Sequence, residues 1–160
     1  MKYKQKNAGF TLVELLVVIS IIGILSTLAV VSLNNARLKA RDAKRVSDIK
    51  QIQTALELYA SDQNGYPDAT DLTLGSGAGS TISKDGGIAA VVSGTTYMGK
   101  VPANALPGGT DYKYSSYTNS SETVACTSAP CIWYNISFTI EEQVGDLPAG
   151  AHNMTPNGIY

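Results

Sequence analysis

The sequence holds one histidine, His152, two cysteines, one tryptophan and two phenylalanines in 160 residues. So few imidazoles and thiols exclude the common zinc centres, which need four clustered ligands. The cysteines, Cys126 and Cys131 in "CTSAPC", are spaced too widely for a CxxC redox motif. No His-Ser-Asp set, nucleotide-binding glycine loop or EF-hand pattern occurs. The chain therefore has no catalytic constellation, and it does not read as an enzyme. Basic residues are scarce beyond residue 50, where three lysines face ten acids. That balance argues against nucleic acid as the main partner. Proline is absent from Phe10 to Tyr66, and turn signals are absent to about Ser61.

What fills that proline-free stretch is apolar. Phe10 to Leu33 is a run of 24 residues whose only charge is Glu14. As a helix it covers roughly 36 Å, enough for a hydrocarbon core of about 30 Å. Three lysines, Lys2, Lys4 and Lys6, precede it, and Arg37, Lys39, Arg41, Lys44 and Arg45 follow it. The second cluster reads as a solvated collar beside lipid headgroups. A secretory signal peptide has a shorter apolar region followed by a small-residue cleavage site. Here the small pair Ala8-Gly9 stands before the run instead. Charge alone leaves the orientation open, because both flanks are basic. A disulfide between Cys126 and Cys131 would put the C-terminal part outside the cytoplasm and the N-terminus inside. The alternative for the pair is two buried free thiols.

After Leu33 the apolar pattern becomes one-faced. Leu38, Val46, Ile49, Ile52, Leu56 and Tyr59 recur at helical spacing, while Arg41, Lys44, Lys50 and Glu57 fall largely elsewhere. Asn64-Gly65 with Pro67 is a helix stop, the glycine serving as the left-handed cap. The spacing predicts one helix from Phe10 to about residue 61–64, a transmembrane half over 10–33 continuing into an amphipathic half over 34–64. Residues 65–160 form a small head domain. "TTYMGKV" and "YKYSSYT" are strand candidates. "IWYNISFTI" is the clearest, with Ile132, Tyr134, Ile136, Phe138 and Ile140 alternating with Trp133, Asn135, Ser137 and Thr139. "DLTLGSGAGSTISKDGG" reads as an exposed loop. The fold class is α+β: a long N-terminal helix packed on an antiparallel sheet of three or four strands.

"KNAGFTLVELLVVISIIGIL", residues 6–25, resembles the N-terminal signature of the type IV filament family, the type IV pilins and type II secretion pseudopilins. That pattern has a basic leader ending in glycine, then Phe, then Thr-Leu-x-Glu-Leu. The resemblance is specific from Lys6 to Ile24, looser through "ALELYASDQNGYP", and faint beyond Pro67. It implies that a prepilin peptidase removes residues 1–9, cutting between Gly9 and Phe10, and methylates the new amino group of Phe10. It implies that the chain is held in the inner membrane before assembly, and that an inner-membrane platform then draws it into a filament at the cell surface. Glu14 would meet the Phe10 amino group of a neighbouring copy. An intramolecular contact between these two residues, four apart on one face, is the second possibility. The pilins' helix loosens between a glycine and a later proline. Gly23 is present here but no proline follows, which favours a continuous helix.

No cofactor is expected. The pseudopilins' calcium loop makes Asp85-Gly86-Gly87 and Gly109-Thr110-Asp111 candidate fragments, although turn chemistry alone explains them. Three function classes compete: a filament subunit of a pilus or a secretion pseudopilus, a non-polymerising single-pass anchor for a small binding domain, and a membrane-bound enzyme. A charge at the centre of a membrane helix costs about 2.5–3.5 kcal/mol on insertion scales, and less near its end. Only the filament subunit gives Glu14 a purpose that repays this.

Overall fold

The computed structural model describes residues 9–160. The leader residues 1–8, including Lys2, Lys4 and Lys6, lie outside the described residues. The chain divides into two units at Arg37/Leu38.

One helix, α1 (Leu12–Gln63), is continuous through both units and passes Gly23 without a break. Its stop falls where the sequence places it, but the left-handed residue is Asn64 (φ 59°) rather than the glycine. Asparagine is the usual alternative at such caps. Gly65 is needed for another reason. A Cβ there would lie 2.6 Å from the Cys131 carbonyl oxygen and 2.8 Å from Pro130 Cβ. The close approach lets Tyr66 and Cys131 exchange two backbone hydrogen bonds of 2.8 and 2.9 Å, which tie the helix exit to the disulfide loop.

The second unit carries two antiparallel sheets. The larger has the order β1 (Leu72–Thr73), β5 (Lys113–Tyr117), β6 (Trp133–Ile140), β7 (Gly150–Thr155), β8 (Gly158–Ile159). The smaller has β3 (Gly87–Ala89), β2 (Thr81–Ser83), β4 (Thr96–Met98). Five strands and three exceed the expected three or four. All three strand candidates are strands, and three differences stand out. Thr81–Ser83, inside the segment read as an exposed loop, is a fully buried strand. Gly150–Thr155, "GAHNMT", forms β7 although it has few β-branched residues. Ile132 keeps the alternation of β6 but is 69% exposed, because it precedes the strand.

The core sits between the helix and the larger sheet. Ile49, Ile52, Leu56 and Tyr59 cluster with Tyr112, Tyr114, Tyr134, Ile136, Phe138 and Met154. The aromatic side chains interlock edge-on or stacked: Tyr66 on Tyr134 at 4.7 Å, and Tyr114 on Tyr134 at 5.9 Å. Cys126 and Cys131 form a buried disulfide that closes the loop before β6.

The basic collar needs one correction. Arg45 is not a solvated member of it but a wholly buried one. Its guanidinium donates to Asn104 Oδ1 (2.9 Å), Glu141 Oε1 (2.8 Å), the Ala105 and Pro107 carbonyls (2.7 and 3.2 Å) and Asp42 Oδ1. Asp42, also buried, accepts the backbone N–H groups of Glu141 and Glu142. Burial pushes the guanidinium's pKa down; hydrogen bonds and charge from Glu141 and Asp42 more than restore it, leaving it above the ordinary arginine value. Gly109 (φ 67°) packs against this group, where a Cβ would lie 2.8 Å from Arg45 Nε.

Candidate functional site

The candidate site is the start of α1. Thr11 stands just outside the helix as its N-cap. The Glu14 backbone N–H donates to Thr11 Oγ1 (3.2 Å), and the Glu14 carboxylate accepts the Thr11 backbone N–H (2.8 Å) and hydroxyl (2.7 Å). This reciprocal pairing is a capping box, which satisfies two donors that a helix otherwise leaves open. The T-x-x-E spacing is a capping signal visible in the sequence, and one that the family signature hides. It also changes the account of Glu14. The carboxylate turns to Thr11 rather than to Phe10, so the acid has a local partner before any other molecule arrives. The first turn of a helix is in addition the favourable end for a negative charge.

Gly9 and Phe10 precede the cap. Phe10 is 83% exposed, and a Cβ at Gly9 would meet nothing within 4 Å. From Leu12 to Leu33 the large apolar side chains are all exposed. The helix is long and apolar enough to cross a membrane by length and composition, and no described residue covers that stretch. Three of its four hydroxyls bond within the helix: Ser20, Ser26 and Thr27 donate to the carbonyls of Leu16, Ile22 and Ile24 at 2.7–2.8 Å. Hydroxyls bonded back in this way present no bare donor to an apolar surrounding. At Gly23 an added Cβ would meet no atom within 4 Å, so the glycine leaves a shallow notch in the surface. Small residues of this kind let helices approach closely.

Among the described residues no group of three or more His, Cys, Asp or Glu is placed to hold a metal ion. Asp85 lies against Gly94, and Gly109 against Arg45, so both candidate calcium fragments are part of turns that pack on neighbouring segments. His152 is buried and shares a hydrogen bond of 2.8 Å with the Pro148 carbonyl.

Residues 4–30 match the family model described as the prokaryotic N-terminal methylation motif. The chain is 37% identical to type II secretion system core protein G of Escherichia coli (strain K12) over 114 residues, 70% of this chain and 74% of that protein. It is 47% identical to type II secretion system core protein G of Aeromonas hydrophila over 64 residues, 40% of this chain and 45% of that protein. It is 30% identical to type IV major pilin protein PilA of Myxococcus xanthus (strain DK1622) over 67 residues, 42% of this chain and 30% of that protein. The chain thus spans about half the length of the Aeromonas relative and about three quarters of the Escherichia one. No solved structure matches the chain.

Proposed function

We propose a function from one premise: the chain belongs to the type IV filament family of pilins and type II secretion pseudopilins. It is a structural subunit that polymerises through its N-terminal helix, not an enzyme, and it uses no cofactor. Residues 1–9 are removed by a prepilin peptidase cutting between Gly9 and Phe10, and Phe10 is N-methylated. Before assembly the apolar half of α1 anchors the chain in the inner membrane, N-terminus inside, with the disulfide-bonded head outside. An inner-membrane platform then moves the subunit into the filament. There the uncovered face from Leu12 to Leu33 is buried against other copies.

The observation that carries this reading is the bare apolar helix with an acid in its first turn, set directly behind the Gly9-Phe10 junction. A lone anchor explains the apolar surface and, through the cap, accommodates Glu14, but it gives no reason for a glycine junction set directly before the run. The match to core protein G reaches well into the head, and this supports a secretion pseudopilus. The pilin match supports the pilus form of the same assembly, and both share the mechanism.

The capping box dictates how to test Glu14, because Glu14→Leu removes the cap together with the charge. Glu14→Gln keeps an acceptor for the Thr11 N–H and loses only the charge. Thr11→Ala loses the hydroxyl and keeps the carboxylate. If Glu14 registers subunits by charge, Glu14→Gln inserts and is processed but forms few filaments in sheared-cell electron micrographs, whereas Thr11→Ala assembles better than Glu14→Gln. Normal filament yield from Glu14→Gln refutes the charge role. Mass spectrometry of assembled material should find a chain beginning at N-methylated Phe10.

A further inference from the structure

We propose that the head carries a binding site for a quaternary ammonium group, on the face of the larger sheet that points away from the helix. The ligand is a small choline-type cation, and the site does not depend on whether the chain polymerises.

β5 and β6 alternate across the sheet. Tyr114 and Ser116 of β5 and Tyr134, Ile136 and Phe138 of β6 are buried on the core side, which leaves Tyr117 and Trp133 on the other face. These two stand directly opposite each other in the ladder, where cross-strand side chains are neighbours. Both are half-buried. Tyr160 follows β8, exposed, and exchanges two backbone hydrogen bonds of 3.0 Å with Asn153 of β7.

Glu122 joins these rings. Its φ of 54° is left-handed, an uncommon conformation for glutamate. Asn119 holds the turn, accepting the Thr123 N–H (3.3 Å) and donating to Thr123 Oγ1 (3.0 Å). Glu122 Oε1 accepts Trp133 Nε1 (3.0 Å) and the Tyr160 hydroxyl (3.4 Å), and Oε2 accepts Asn135 Nδ2 (2.7 Å). Besides burial of its ring, the charge and hydrogen bond of Glu122 raise the Tyr160 phenol, and Tyr117 adds to this, which puts both hydroxyls near the carboxylate.

Three neutral donors fix that carboxylate and leave its charge whole. Among the described residues no cation forms an ion pair with it. Lys113, also on this face of β5, is four residues from Tyr117, roughly 13 Å along the strand, and it turns to Asp71. The outward residues of β6 and β7 are uncharged.

The hydrogen bonds select the kind of cation. A carboxylate has about four lone-pair sites, and three are taken. A metal ion needs several free oxygens, and a guanidinium fork needs both carboxylate oxygens open. A quaternary ammonium group has no N–H and asks for neither. It is drawn by the charge and by aromatic faces. Phosphocholine or a betaine would bring its own anion beside Glu122, with no free cation there to receive it. Choline itself therefore fits.

The test is calorimetric titration of the full chain, in a non-ionic detergent at fixed ionic strength, with Trp133 fluorescence as a second readout. Choline chloride should bind saturably. Its uncharged isostere 3,3-dimethylbutan-1-ol, and phosphocholine, should bind at least about fivefold more weakly. Glu122→Gln keeps an acceptor for Trp133, and Asn135 can turn its amide to match, so the loss of about tenfold or more reads the charge. Tyr160→Leu alters an exposed side chain outside the core and should weaken binding about two- to fivefold, the worth of one ring. Choline affinity unchanged in both variants overturns the proposal, as does equal binding of the uncharged isostere. So does the absence of any saturable response to choline or tetramethylammonium. A response to calcium chloride or glucose with none to choline assigns the face to a metal or a sugar and overturns it too.

Discussion

Removing the Arg45 side chain should unfold the head more readily than any exposed change of similar size. In Arg45→Met the volume is nearly kept, but five acceptor atoms lose their donor: Asp42 Oδ1, Asn104 Oδ1, Glu141 Oε1 and the Ala105 and Pro107 carbonyls. Asp42 keeps its two backbone donors, so its charge is not wholly abandoned. Glu141 is partly exposed and can turn to water. The loss therefore falls at about 3 kcal/mol, the low end for breaking one side of a buried pair. That is a large share of the 5–15 kcal/mol typical of a domain. Urea unfolding of the detergent-solubilised chain, followed by fluorescence of Trp133, its only tryptophan, measures it. Asp42→Leu/Arg45→Met removes the lone charge but strands the Glu141 and Glu142 N–H groups, so it should recover less than about 1 kcal/mol of that loss. A loss under about 1 kcal/mol in the single variant would show that the pair is solvated, and the reasoning would fail.

Gly65→Ala should cost about 1–3 kcal/mol through overpacking against the Cys131 carbonyl and Pro130; a change within about 0.5 kcal/mol would mean the helix exit shifts freely. Burial raises Tyr66, Tyr112, Tyr114 and Tyr134 well above the ordinary phenol value, with Glu57 adding to Tyr66 and Asp48 to Tyr112. Above pH about 10 the unfolded chain loses these protons and the folded one keeps them, so stability is full below that pH and falls as it rises. With four such groups the slope approaches about 5 kcal/mol per pH unit. Tyrosinate absorbance of the folded protein checks this, and ionisation of all its tyrosines near pH 10 contradicts it.

Much of this molecule is legible in its sequence because periodic patterns report burial directly. The stripe Ile49, Ile52, Leu56, Tyr59 and the alternation Tyr134, Ile136, Phe138, Ile140 meet in one core. Arg45 is not legible. Its neighbours in sequence are basic, and its partners on the sheet side lie 59 to 96 residues away, so only the tertiary fold reveals that it is inside. The strand Thr81–Ser83 is hidden by its glycine- and serine-rich flanks. β3 and β4 pair with it on either side, and Ile82 joins the core cluster. At the candidate site the residue types are all in view, and the local geometry is what the signature conceals. Thr11 and Glu14 are letters of a family pattern until their three-residue spacing is taken as a cap.

That cap has a consequence for severing the chain. The first backbone bond of α1 runs from the Leu15 N–H to the Thr11 carbonyl, and among the described residues no hydrogen bond involves Gly9 or Phe10. Hydrolysis of the peptide between them would therefore break no hydrogen bond of the helix. The hydrogen bonds that close the helix end all lie on the C-terminal side of that peptide. Under the proposed function, the residues before Phe10 can vary to suit a protease while the Thr11–Glu14 cap stays the same.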